Sequence, residues 1–93
     1  MIMNILKKIS IYFAVKRIKK YERYFDSVKE IYAENPLMLE QNKKKLNALI
    51  KYYESNRWLK DYQLDEEQML PQNLKRGILS QDEFYNFIDK MSS

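Results

Sequence analysis

The chain has 93 residues, a formal net charge of +4, no cysteine and no histidine. Without these two side chains it cannot form disulfides, thiolate or imidazole zinc sites, or nucleophilic pairs and triads that need histidine. The remaining candidates for catalysis are carboxylate, serine, lysine and tyrosine groups, and no spacing places two carboxylates in one cleft. We therefore expect no enzymatic activity and no cofactor.

One glycine and two prolines in the whole chain indicate long helices joined by few turns. The length predicts one small domain over residues 1–93, and the scarcity of glycine and proline predicts that it is all-α. Charge is unevenly spread: residues 1–33 carry eight basic and three acidic side chains (+5), residues 34–57 five and three (+2), and residues 58–93 four and seven (−3). A basic beginning and an acidic end predict either internal neutralisation or two faces of opposite sign.

Residues 1–17, MIMNILKKISIYFAVKR, hold an apolar run flanked by basic residues. The run is shorter than the roughly 20 residues that span a bilayer, and no small-residue cleavage pattern of a secretory signal follows it. One interpretation is the start of a long helix packed on the core. The other is an amphipathic helix over residues 1–20 lying in a membrane surface. In that case the basic residues facing anionic head groups would be Lys7, Lys8, Lys16, Arg17, Lys19 and Lys20.

Helical spacing continues through the first third of the chain. Apolar side chains at steps of three, four or seven predict a core-facing stripe, and they are Ile11, Val15, Ile18, Phe25, Val28 and Tyr32. The helix should end near Asn35, which can cap a second helix that starts with Pro36 and continues to about Tyr53. So short a connection predicts an antiparallel hairpin of two long helices.

A lobe of short helical turns should close the end of this hairpin. Ser55 can cap a turn that carries Trp58, Leu59 and Tyr62 on one side. The crowded carboxylates that follow, from Asp61 to Glu67, do not match the spacing of a calcium loop. We interpret them as counter-charges to the basic first helix rather than as a metal site.

A second turn and a last helix complete the predicted chain path. Pro71 to Gly77 should form a short helical turn that Gly77 ends in a left-handed conformation. Ser80 and Glu83 have the spacing of a capping box. The helix that they start has an apolar face made of Phe84, Phe87, Ile88 and Met91.

The run YYESNRWLKDYQLDEEQMLPQNLKRGILSQDEFYNFI resembles the C-terminal signature of the bacterial domain-of-unknown-function family DUF4298. The positions that carry the resemblance are Tyr52, Tyr53, Trp58, Asp61, Tyr62, Asp65, Glu66, Leu70, Pro71, Leu74, Lys75, Arg76, Gly77, Leu79, Ser80, Asp82, Tyr85 and Asn86. The similar region covers about Ile18 to Met91, so that residues 1–17 form an N-terminal extension of the first helix. The resemblance implies a small helical bacterial protein and no assigned activity. The first helix of this chain is more basic than is usual in the family.

The leading functional hypothesis is a cytoplasmic protein–protein interaction module of the adaptor, inhibitor or immunity type, because aromatic residues and arginine anchor interfaces. Its partner is another protein or a second copy of the chain. The residues expected to bind the partner are Trp58, Asp61, Tyr62, Asp65, Lys75 and Arg76. In the alternative interpretation Trp58 is part of the core and Arg76 pairs with Asp61 or Asp65.

Two other hypotheses use the basic first helix. One is the association of residues 1–20 with a membrane surface, as above. The other is nucleic-acid binding, in which cations neutralise phosphates and tyrosines stack on bases. The residues that it requires are Lys16, Arg17, Lys19, Lys20, Arg23, Tyr21 and Tyr24.

Overall fold

The computed structural model describes residues 5–91, and every regular element in that range is helical. The elements are α1 (Ile5–Glu34), a first 3₁₀ helix (Pro36–Asn42), α2 (Lys43–Tyr53), α3 (Asn56–Glu66), a second 3₁₀ helix (Gly77–Leu79) and α4 (Gln81–Met91). The predicted all-α class is confirmed. Residues 1–4 of the predicted N-terminal extension, and residues 92 and 93, lie outside the described residues.

The chain turns back after α1 at the predicted cap. Asn35 has an extended backbone, its Oδ1 accepts the N–H of Leu37 at 3.2 Å, and Pro36 follows it at the first helical position. The predicted second helix is not α-helical throughout. Its first part, Pro36–Asn42, is a 3₁₀ helix, and the α-helix begins only at Lys43. The side-chain amide of Asn42 donates to the Met38 carbonyl at 2.9 Å, and this is the carbonyl that an α-helix would pair with the Asn42 backbone.

The returning chain contacts α1 in reverse order. Lys45 Nζ donates to Ser27 Oγ at 3.3 Å, and further along the chain the ring of Tyr52 stacks on Tyr21 with centroids 4.1 Å apart. This is the order that an antiparallel hairpin would give. The returning arm consists of the first 3₁₀ helix and the 11-residue α2.

The core takes side chains from α1, α2, α3, the segment that follows α3, the second 3₁₀ helix and α4. Phe25 is fully buried, and the rings of Phe84 and Phe87 approach it edge-on at 5.4 and 5.7 Å. Such edge-to-face contacts stabilise aromatic clusters beyond their buried area. The fully buried members of the predicted stripe are Ile18, Phe25 and Val28.

The left-handed residue of the lobe is Gln68, and the prediction for Gly77 was wrong. Gln68 has φ 58° and follows α3; its N–H donates to the Asp65 carbonyl and the N–H of Met69 to the Leu64 carbonyl, both at 3.0 Å. These two bonds form a Schellman motif, which ends a helix on a left-handed residue. Gly77 has no positive φ and begins the second 3₁₀ helix instead.

The absence of a side chain at Gly77 matters for a different reason. A Cβ atom there would lie 3.3 Å from an oxygen of Glu22 and 3.2 Å from one of Glu83. The glycine therefore lets two carboxylates approach the backbone closely. Residues 71–76 form one hydrogen-bonded turn, from the Leu74 N–H to the Pro71 carbonyl, and otherwise irregular chain rather than the predicted helical turn.

At the start of the last helix, one of the two hydrogen bonds of the predicted capping box is formed. Ser80 Oγ accepts the N–H of Glu83 at 3.2 Å, as the spacing predicted. The Glu83 carboxylate does not return to the Ser80 backbone, because it binds Lys29 at 3.3 Å and the Ser80 N–H donates to the Gly77 carbonyl.

Candidate functional site

Helix α3 divides the lobe into an inner and an outer side. Ser55 Oγ accepts the N–H of Trp58 at 3.3 Å and so starts the helix where the sequence predicted. Trp58, Asp61 and Leu64 are then buried at steps of three. Leu59 is 47% exposed, against the prediction that it shares the side of Trp58, because neighbouring residues on a helix point about 100° apart.

Trp58 is part of the core. It is 8% exposed, and its Nε1 donates to the Ile78 carbonyl at 2.9 Å. Its ring packs between Tyr53 and Tyr62, with centroid distances of 5.1 and 5.3 Å. The tryptophan thereby holds the second 3₁₀ helix against α3.

Asp61 is fully buried in a cluster of three ionisable side chains. Arg17 donates to its carboxylate through Nε at 3.1 Å and Nη2 at 2.6 Å, and the Tyr52 hydroxyl donates at 2.6 Å. The hydrogen bond to Asp61 raises the pKa of Arg17, and burial together with that carboxylate raises the pKa of the Tyr52 phenol. Asp61 is therefore a counter-charge to the first helix, as predicted for this group of carboxylates, and has no exposed surface left for a partner.

Arg76 forms hydrogen bonds to residues at both ends of the turn at residues 71–74 and to the end of α3. Its Nη1 donates to Asp65, its Nη2 to the Pro71 carbonyl at 2.5 Å and its Nε to the Leu74 carbonyl at 3.2 Å. Pairing with Asp65 was one of the two internal partners considered from the sequence. Lys75 points elsewhere and donates to Asp26 of α1 at 2.6 Å, which raises the pKa of Lys75.

The outer side of the lobe presents an aromatic ring beside this ion pair. Tyr62 is half-buried and stacks on Trp58 with 20° between the ring planes. A hydrogen bond to Glu66 raises the pKa of its phenol. We call the group of Leu59, Tyr62, Asp65, Glu66 and Arg76 the lobe surface. Of the predicted binding residues, it contains Tyr62, Asp65 and Arg76.

Glu22 is a buried carboxylate that the sequence interpretation missed. It is 4% exposed and accepts the backbone N–H of Ile78. Burial raises its pKa above the ordinary glutamate value of 4.5. The signal was available, since Glu22 lies four residues after Ile18 and three before Phe25, within the predicted stripe.

Glu22→Gln is expected to reduce the dependence of stability on pH. Because the pKa of Glu22 is raised, the folded chain binds this proton more tightly than the unfolded chain does. The resulting stabilisation is complete below pH 4.5 and is lost as the pH rises through the raised folded value. Urea unfolding over a pH series should show the free energy of unfolding of wild type, minus that of the variant, falling with rising pH. Glu30→Gln, at an exposed position of α1, is the control for removing one charge, and a difference independent of pH would contradict the prediction.

The residues required for nucleic-acid binding are partly engaged within the fold. Arg17 binds Asp61, Tyr21 stacks on Tyr52, and Tyr24 meets Tyr21 edge-on at 5.8 Å. The remaining cations of this group are exposed, and they are Lys16, Lys19, Lys20 and Arg23. Within residues 5–91 no three acidic side chains converge as they would around a metal ion.

Fold and lobe define a small all-α protein in which a short, charged and aromatic lobe closes on one long helix. The chain belongs to the family described as domain of unknown function (DUF4298), whose model matches residues 18–93. The resemblance is thus confirmed, and residues 1–17 precede the matched region. No curated protein and no solved structure matches the chain.

Proposed function

We propose that the chain is a small, cytoplasmic, bacterial protein–protein interaction module, of adaptor, inhibitor or immunity type, that binds another protein through the lobe surface. The observation that carries this proposal is the half-exposed ring of Tyr62, stacked at 5.3 Å on the buried Trp58. Tyrosine, tryptophan and arginine dominate the binding energy of protein interfaces. Here an exposed tyrosine is supported by a tryptophan and accompanied by an arginine.

The lobe surface is arranged before any partner binds. Trp58 is fixed through the Ile78 carbonyl, and Arg76 is held by one carboxylate and two carbonyl oxygens. Immobilising a long side chain on binding costs about 0.5–1.5 kcal/mol. For Trp58 and Arg76 that cost is already met by the hydrogen bonds within the fold.

The six residues predicted to bind a partner then have different roles. Tyr62, Asp65 and Arg76 supply the contact, with the exposed Leu59 extending its apolar part. Trp58 supports the ring of Tyr62 from beneath. Asp61 binds Arg17 and Tyr52 in the interior, and Lys75 binds Asp26 of α1. Since residues 58–93 have a net charge of −3 (four basic and seven acidic side chains), the partner should present an apolar patch with basic neighbours.

Site-specific photo-crosslinking tests this proposal. A photoreactive amino acid replaces Leu59 on the lobe surface or, as a matched control, Leu37, which is 84% exposed in the first 3₁₀ helix. In bacterial cells or lysate, position 59 should yield one adduct of defined mass and position 37 should not. The double substitution Tyr62→Ala and Arg76→Ala should reduce that adduct about tenfold or more.

Two outcomes would contradict this proposal. Equal adducts from positions 59 and 37 would show non-specific contact. An adduct with twice the mass of the chain would identify self-association, and the partner would then be a second copy rather than another protein.

A further inference from the structure

The first turns of α1 carry large apolar side chains that contact solvent. Their exposed fractions run from 45% to 72%. We call this group the N-terminal stripe, and it consists of Ile5, Leu6, Ile9, Tyr12 and Phe13. The spacing of three and four residues places these side chains along one side of the helix.

The N-terminal stripe lies opposite the side of α1 that faces the core. Ile11 and Val15 pack against the core, and Ala14 and Ile18 are fully buried in it. Two positions apart on a helix correspond to about 200°, so Ile9 and Ile11 point in nearly opposite directions. The helix is therefore apolar on two sides, and the described residues cover one of them.

The charged residues within the segment that carries the stripe have a single sign. Residues 1–21 contain six basic side chains and no acidic one, and the first acidic residue, Glu22, is buried. Lys16 and Lys20 continue the line of the stripe towards the middle of α1, and both are exposed. Lys16 lies over the ring of Tyr12, 5.1 Å from its centroid.

We propose that the N-terminal stripe lies in the plane of an anionic lipid surface. Its apolar side chains would enter the boundary between head groups and acyl chains, while Lys8, Lys16 and Lys20 contact lipid phosphates. An apolar face edged with lysine and aromatic residues is the pattern of helices that bind membranes in this way. None of the described helices combines the length and apolarity needed to cross a bilayer.

Charge favours lipid over a second copy of the chain. Two stripes packed face to face would bring two sets of lysines together with no carboxylate between them, and like charges in an interface are unfavourable. An anionic lipid surface instead supplies a phosphate for each lysine. The stripe precedes residues 18–93, which match the family. The lobe surface consists of residues of α3 and Arg76, so this inference is independent of the proposed function.

Flotation of the full chain with lipid vesicles tests the inference. The wild type should float with vesicles of phosphatidylglycerol and phosphatidylcholine, and should stay in the soluble fraction with phosphatidylcholine alone. Ile9→Gln with Phe13→Gln should weaken binding about tenfold or more. Leu37→Gln with Tyr85→Gln changes two exposed apolar residues elsewhere and should bind as the wild type does.

A charge series separates the lysines of the stripe from net charge. Lys16→Glu with Lys20→Glu should lower vesicle binding about tenfold or more, since each cation near an anionic surface is worth about 1 kcal/mol, or fivefold. Lys44→Glu with Lys51→Glu makes the same change in charge at exposed positions of α2 and should have a much smaller effect. Circular dichroism melting curves ensure that the compared variants are folded.

Three results would overturn the inference. The wild type could remain soluble at micromolar concentration with anionic vesicles, or the stripe variant could float as well as the wild type. The third is a dimer in light scattering that the stripe variant abolishes while vesicles bind neither chain. That result would assign the stripe to a second copy.

Discussion

Asp61→Ala is expected to lower the free energy of unfolding by about 3–5 kcal/mol, the usual cost of removing one partner of a buried ion pair. The substitution leaves the Arg17 guanidinium and the Tyr52 hydroxyl without the acceptor that they share. A chain of this length has roughly 5–14 kcal/mol of stability in total. The variant should therefore be close to unfolding, and urea titration at low temperature measures the loss.

A second substitution distinguishes an unpaired charge from a lost attraction. Arg17→Met removes the cation, and combined with Asp61→Leu it replaces the pair by apolar side chains. The double variant should be more stable than Asp61→Ala, because the partly buried Arg17, 24% exposed, no longer carries a charge without its partner. An Asp61→Ala variant that loses less than about 1 kcal/mol would show that water reaches this cluster and that the buried pair matters little.

Trp58→Ala is expected to cost about 3–5 kcal/mol through the cavity that it leaves. Trp58→Phe should cost about 1–3 kcal/mol, because an aromatic ring is kept while the Ile78 carbonyl loses its donor. Unfolding in urea measures both. Tyr85→Ala, at a 65% exposed aromatic residue of α4, is the control and should stay within about 0.5 kcal/mol of the wild type.

The two tryptophan variants also bear on the lobe surface. If the lobe surface acts through Tyr62, then Trp58→Phe should retain most crosslinking from position 59, since phenylalanine still supports the tyrosine ring. Tyr62→Ala should lose crosslinking with a smaller loss of stability, since Tyr62 is only half-buried. A Trp58→Phe variant as unstable as Trp58→Ala would place the stabilising role in the indole itself.

Features that depend on neighbouring residues were predicted well. Asn35, Ser55 and Ser80 each accept a backbone N–H within three residues, as their positions indicated. The core-facing stripe of α1 was also visible, since helical periodicity needs no knowledge of the rest of the fold. Glu22 could have been recognised in the same pattern as a carboxylate placed on a buried face.

The end of α3 shows where local rules failed. The single glycine was the obvious choice for a left-handed residue, yet Gln68 adopts that conformation and Gly77 does not. Two backbone hydrogen bonds at the end of α3 stabilise Gln68. Gly77 lies where two carboxylates from α1 and α4 approach the backbone, and no local pattern encodes that meeting.

The sequence by itself determined the all-α class, the caps at Asn35, Ser55 and Ser80 and the family, because each rests on side chains within a few residues or on a continuous pattern. Only the tertiary structure decided which charges are used internally. Arg17 and Asp61 are 44 residues apart, and Glu22 and Ile78 are 56 apart. Such pairs form when packing brings helices together, so their identity depends on the relative position of whole elements. The same packing covers one side of α1 and leaves the N-terminal stripe on the other.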